Sequence, residues 1–129
     1  MVNINWQFQA AIQGGPTLAI NQPSISVAAY DVVQVHLAIG AAGVAVPIQP
    51  GATSGDVVLV VVNSSQFGAG LTYTVDAVGT AHVLDGPHLL IGSGAVAFLN
   101  SAAPPKLLTF TNGLASAADV QVVVGRNVP

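Results

Sequence analysis

The residues best suited to chemistry fall in one short stretch: His82, Asp85 and His88. Thr80–Leu84 and His88–Ile91 read as strands flanking Asp85-Gly86-Pro87, the loop of a hairpin. If Leu84 pairs with His88, His82 stands opposite Leu90. The two imidazoles then become diagonal neighbours on one face, with Asp85 at the turn between them. Two histidines and a carboxylate are donors that zinc or a similar ion accepts. The spacing matches no established ligand motif, however, and a further ligand is not fixed by it. Hydrogen-bonding side chains beside a turn are the simpler expectation, so no metal and no other cofactor is assigned.

Other catalytic patterns fail on context. Gly92-Ser93-Gly94-Ala95-Val96-Ala97 fits the loose dinucleotide fingerprint G-x-G-x-x-A. That mechanism needs a long helix whose N-terminus faces the pyrophosphate, and Pro104-Pro105 ends any helix soon afterwards. Asn112 stands where an acidic residue should hold the ribose. A Gly-Ser-Gly hairpin turn is expected instead. No G-x-S-x-G elbow accompanies the serines. Glycosidase chemistry needs two carboxyl groups in one cleft, whereas the five aspartates are scattered, mostly at strand ends, and read as turn formers. The chain is therefore not expected to be an enzyme. Asn63-Ser64-Ser65 has the N-glycosylation pattern, which says nothing without a secretory signal. Trp6, Tyr30 and Tyr73 could form a sugar platform, but Trp6 and Tyr73 share the apolar parity of their strands and are expected in the core.

The scarcity of charge is more informative. The 129 residues carry seven charged side chains, Asp31, Asp56, Asp76, Asp85, Asp119, Lys106 and Arg126, for a net charge of −3. That is 5% of the chain, against roughly 25% in an ordinary globular domain. Two cations cannot build the basic stripe that nucleic acid requires, nor a basic membrane-surface helix. The longest apolar run, Leu37–Ile48, is interrupted by Gly40, Gly43 and Pro47 and is too short to cross a hydrocarbon core of about 30 Å. Neither nucleic acid nor membrane is an expected partner. Met1–Gln7 has no basic or continuously apolar segment, so synthesis without a signal, in cytoplasm, is expected. There is no cysteine, which removes a disulfide scaffold. A chain with so little charge on a 52% hydrophobic composition lacks the repulsion that keeps monomers apart. The economical expectation is that other subunits cover much of its surface.

The elements are strands. From Val2 to Ile12, Val2, Ile4, Trp6, Phe8, Ala10 and Ile12 take one parity and Asn3, Asn5, Gln7 and Gln9 the other, which predicts a half-buried strand. Its amide face can be covered at lower desolvation cost than a charged one, so Asn3, Asn5, Gln7 and Gln9 are the candidate interface residues. Gly14-Gly15-Pro16 ends the strand, and Thr17–Ile20 allows a short one before a turn at Asn21-Gln22-Pro23. Ile25–Tyr30, Val33–Ile39 and Val44–Ile48 follow, the last an edge strand because Pro47 lacks an N–H. A loop is expected over 50–55. Val57–Val62, six apolar residues of which five are β-branched, suits a strand buried on both faces. Leu71–Ala77 alternates again. Ala95–Leu99 is ambiguous, Leu108–Thr111 alternates, Leu114–Ala118 allows one helical turn, and Val120–Val124 closes the series. Trp6, Phe8, Val35, Leu37, Leu59, Tyr73, Val75 and Val122 are the expected core. The predicted fold is all-β: one domain over residues 1–129, an antiparallel β-sandwich or jelly roll of about eight to ten short strands.

Low charge, strands rich in Val, Ala, Gly and Thr, the lack of cysteine and the ending Val122-Val123-Val124-Gly125-Arg126-Asn127 together resemble the small accessory coat proteins of tailed bacteriophages. The resemblance implies a structural virion protein, a decoration or cement protein that stabilises a capsid through subunit contacts. Its partners would be copies of itself, a trimer among the forms expected, and the major capsid or another virion protein. Its location would be the virion. A tail or neck component is the nearest variant. The contrasting expectations are a carbohydrate-binding or adhesin-type sandwich, and a small metal-dependent jelly-roll enzyme with the histidines as ligands.

Overall fold

Eight of the strands in a computed structural model, which describes residues 1–21, 24–48 and 55–128, form two four-stranded antiparallel sheets. The described elements in chain order are β1 (Val2–Ile4), β2 (Gln7–Ala11), β3 (Thr17–Asn21), β4 (Ile25–Val27), β5 (Ala29–Leu37), β6 (Val44–Pro47), β7 (Val57–Ser64), β8 (Leu71–Val75), β9 (Val78–Val83), β10 (His88–Ile91), a single turn α1 (Ser93–Val96), β11 (Leu107–Asn112) and β12 (Ala118–Arg126). One sheet has the order β10-β7-β12-β5 and the other β6-β11-β8-β9. Numbered in chain order, the eight sandwich strands thus run 6-3-8-1 and 2-7-4-5. The chain changes sheet at every connection but one, which is the winding of a jelly roll.

That one exception is the β8–β9 hairpin, where Val75 pairs with Val78 across a two-residue turn. Asp76 and Ala77 both have positive φ, 53° and 55°, as a type I′ turn requires. Asp76 is held there by its carboxylate. Oδ1 accepts the Lys106 and Leu107 amides, both at 2.8 Å, and Oδ2 accepts Asn100 Nδ2 at 2.9 Å.

The expected hairpin of Thr80–Leu84 with His88–Ile91 does not form. β9 pairs with β8, while β10 crosses to the other sheet and pairs with β7, His88 opposite Val62 and Ile91 opposite Leu59. The free edge of β7 takes the apolar strand, and Leu84 stays with β8 through its amide to Leu71 O. Gly92-Ser93-Gly94 opens the single turn α1 rather than a hairpin. Leu114–Ala118 forms no helix, because Asn112 takes over that segment's backbone groups: its Oδ1 accepts the Leu114 amide and its Nδ2 donates to Ser116 O. Pro47 does lie on an edge strand, β6. The turn at 22–23 and most of the loop over 50–55 lie outside the described residues.

Alternation decides the core. Val120, Val122 and Val124 of β12, Val60 and Val62 of β7, Tyr73 and Val75 of β8, and Leu108 and Phe110 of β11 point between the sheets and are almost fully buried. Of the expected core, Leu37, Tyr73, Val75 and Val122 belong to this cluster, with Val35 packed against it. Asn112 is also buried, and is satisfied by Leu37 O, Ala38 O and Ser116 O around its amide nitrogen. The two outer faces differ. On the second sheet, Thr72 and Thr74 stand opposite Thr111 and Thr109. On the first, the strip is apolar at one end, with Leu59, Val61, Leu89, Ile91, Val123 and Val32. It turns polar at the other, where Gln34 faces Gln121 and His36 faces Asp119.

Val2–Ile12 is not one half-buried strand. It breaks at Asn5-Trp6 into β1, which pairs with β4, and β2, which pairs with β3. The first pair lies on the outer face of the first sheet. Gly125 makes that approach possible, since a Cβ there would stand 3.2 Å from Val27 Cγ1, 3.3 Å from Leu59 Cβ and 3.4 Å from Ile4 Cδ1. Leu59 is buried under this small layer, 3% exposed, and not in the main core. A bulge at Gly125/Arg126 leaves Val58 without a partner in β12 and returns Val57 to the inner face.

Candidate functional site

The most distinctive surface starts from the alternation of Gln7–Ala11. β2 and β3 pair Phe8 with Ile20 and Ala10 with Leu18, so all four side chains share one face. Gln7, Gln9, Thr17 and Ala19 take the other. The turn closes with Gly15 N donating to Ile12 O at 2.9 Å and Gly14 at φ 74°. A hairpin so divided should lay its apolar face on a core. Here that face is bare: Phe8 and Ile20 are each 39% exposed, Leu18 54% and Ile12 59%. Phe8 is therefore not a core residue, contrary to its parity. The parity correctly marks an apolar face, but nothing within the described chain covers it.

Beside the base of the hairpin lies an open groove of about 510 Å³. Its floor is the apolar strip of the first sheet, Leu59, Val61, Leu89, Ile91 and Val123. Ile4, Trp6, Phe8 and Ile20 form its wall. Trp6, half-buried rather than in the core, has its Nε1–H shielded from solvent with no acceptor, a costly state for a donor. No ionisable side chain lines the groove. Between Met1 and Tyr30 the sequence has no Asp, Glu, Lys, Arg or His at all. Of the candidate interface amides, Asn5 and Gln7 line the groove, Asn3 lies in β1 and Gln9 on the outer side of the hairpin, all exposed.

The histidines meet differently from the expectation. His82 stands opposite Tyr73 on β9, and His88 reaches the same ring from the other sheet. Tyr73 Oη and His88 Nδ1 are 2.6 Å apart. Burial pushes the Tyr73 hydroxyl up to about 12, so it stays protonated over the ordinary pH range. Asp85 does not join them in a ligand set: no group of three or more potential metal-binding side chains exists among the described residues. Tyr73 lies inside the sandwich against Phe110, so the aromatic platform of Trp6, Tyr30 and Tyr73 does not form. His36 pairs with Asp119 at 2.6 Å on the open sheet surface. Arg126, one of the two cations, is buried and paired to Asp31, leaving Lys106 as the exposed one among the described residues.

The sequence marks the amide face of the first segment as the candidate interface and assigns Trp6 and Phe8, on its apolar face, to the core. The signal of a shared apolar face was present in the matching parity of Thr17–Ile20, which puts Leu18 and Ile20 beside Ala10 and Phe8 once the two segments are read as a hairpin. No family model matches the chain, and no curated protein or solved structure matches it significantly.

Proposed function

We propose that the chain is a structural virion protein, a decoration or cement protein of a tailed bacteriophage. It stabilises the particle by binding copies of itself and the major capsid or a neighbouring virion protein. The jelly-roll winding alone does not select this reading, because capsid proteins, lectins and cupin enzymes all use it. Features of the surface support it. A carbohydrate site needs convergent polar groups beside its aromatic ring, and the groove offers the amides of Asn5 and Gln7 against an otherwise apolar lining. A cupin-type metal site needs at least three ligands at one place, whereas His82 and His88 converge on Tyr73 and His36 pairs with Asp119. The observation that carries the proposal is the bare amphipathic hairpin beside an uncharged apolar groove, a combination that gains most when another protein covers it.

The test is the protein content of purified particles. Virions banded on a density gradient from a lysate that expresses the gene should contain the chain in a fixed ratio to the major capsid protein. Recovery of the chain solely in the particle-free fraction would overturn the proposal.

A further inference from the structure

The hairpin and the groove belong together, but in different molecules. We infer that the apolar groove of one copy is filled by the β2–β3 hairpin of a second copy, so that neighbouring subunits exchange their N-terminal arms. This rests on the assembly reading above and names the contact that assembly would use.

The hairpin touches its own body at the base alone. Phe8 and Ile20 border the groove, whereas Leu18 and Ile12, further out, are more than half exposed and lie beyond it. The distal half of the apolar face can therefore be covered by another molecule and not by its own sheet without a change at the base. An isolated two-stranded hairpin is marginal in water, so the ordered amphipathic pattern calls for a third layer.

Arm and groove are matched in chemistry. Neither carries a charged side chain, so closing one on the other desolvates no ion. A chain that carries both an apolar arm and an apolar slot is complementary to itself, and exchange of an identical element is a low-cost route from monomer to closed oligomer. Trp6 adds an independent sign. Its buried, unpartnered Nε1–H sits at the hinge Asn5-Trp6 between the pinned pair β1–β4 and the free arm.

With the apolar face turned into the neighbour's groove, Gln7 and Gln9 face outward as a polar rim. The geometry allows reciprocal exchange in a dimer or exchange around a ring, and the contact is the same in both.

The absence of native cysteine makes the test direct. Full-length Ile20→Cys and Leu89→Cys, each at a half-exposed position, are mixed and mildly oxidised. Arm exchange predicts a disulfide between the two different chains, forming at least tenfold faster than between Ile20→Cys and a control Ala45→Cys on the opposite sheet. Equal rates with Leu89→Cys and Ala45→Cys would overturn the inference. So would a double Ile20→Cys, Leu89→Cys chain that closes exclusively within itself. If particles contain the chain but the link does not form, arm exchange is wrong and the coat reading stands. If the link forms in a protein absent from particles, arm exchange stands and the coat reading is wrong.

Discussion

The hydroxyl of Tyr73 and Nδ1 of His88 lie 2.6 Å apart and join the two sheets of the sandwich. Tyr73 belongs to β8 of one sheet, and His88 begins β10 of the other. The bond closes the end of the core where the chain has just crossed over.

The burial of Tyr73 gives the protein an alkaline limit. Burial raises the Tyr73 hydroxyl from its ordinary value of 10.0 to about 12. The folded state thus keeps a proton that the unfolded chain releases. Stability is unaffected below about pH 10 and falls as pH rises from there towards 12, by up to roughly 2–3 kcal/mol from this group. Denaturant titrations at pH 8 and pH 11 should show the loss in the native chain and a clearly smaller one in Tyr73→Phe.

Ala77 is a second strained point. It holds φ 55° at the β8–β9 turn, where an L-residue with a Cβ is disfavoured and glycine is not. Ala77→Gly should stabilise the protein by up to about 1 kcal/mol, the relief of the left-handed conformation outweighing glycine's extra unfolded-state entropy. A lower midpoint in thermal unfolding would contradict this.

Leu59 and Leu108 are both buried, but they support different layers. Leu108 is in the main core and Leu59 lies beneath β1–β4. Leu108→Ala should cost about 2–5 kcal/mol in a denaturant titration of the sandwich. Leu59→Ala should cost less than half as much in the same transition, because the layer above it can settle. Equal losses would place Leu59 in the cooperative core.

Gly125 tests that layer from the other side. Gly125→Val pushes a side chain into Val27, Leu59 and Ile4, so β1–β4 must lift from the sheet. The expected outcome is a red shift of the fluorescence of Trp6, the one tryptophan, with the sandwich transition lowered by no more than a few degrees. An unchanged spectrum would show that Trp6 does not depend on this packing.

Much of the fold was legible because period-two patterning is local. Val33 and Val35, the run Val57–Val62, Leu71–Val75, and Leu108 and Phe110 all announced strands, and Pro47 announced an edge. The pairing partners were not legible. His88–Ile91 has the length and spacing of a hairpin arm to Thr80–Leu84, and nothing in those residues records that β7 offers a longer apolar edge in the other sheet. The Asp76-Ala77 turn was hidden because it lacks the glycine that usually marks type I′. Its conformation is held by contacts from Asn100, Lys106 and Leu107, far along the chain. At the candidate site, the parity of Trp6 and Phe8 identified an apolar face, but period two cannot say whether that face meets its own core or another molecule. Leu59 shows the same limit: it was expected to be buried and is, yet under a terminal layer and not between the sheets.

The central claim, that copies of this chain hold one another through uncharged surface, is tested most directly by the mass of the full-length protein in solution. Multi-angle light scattering at tens of micromolar should return two or more chains per particle. The value should be the same in about 0.1 M and about 1 M salt, since screening acts on charges and the arm and groove carry none. A mass of 12.9 kDa, or an oligomer that falls apart as salt rises, would contradict the account.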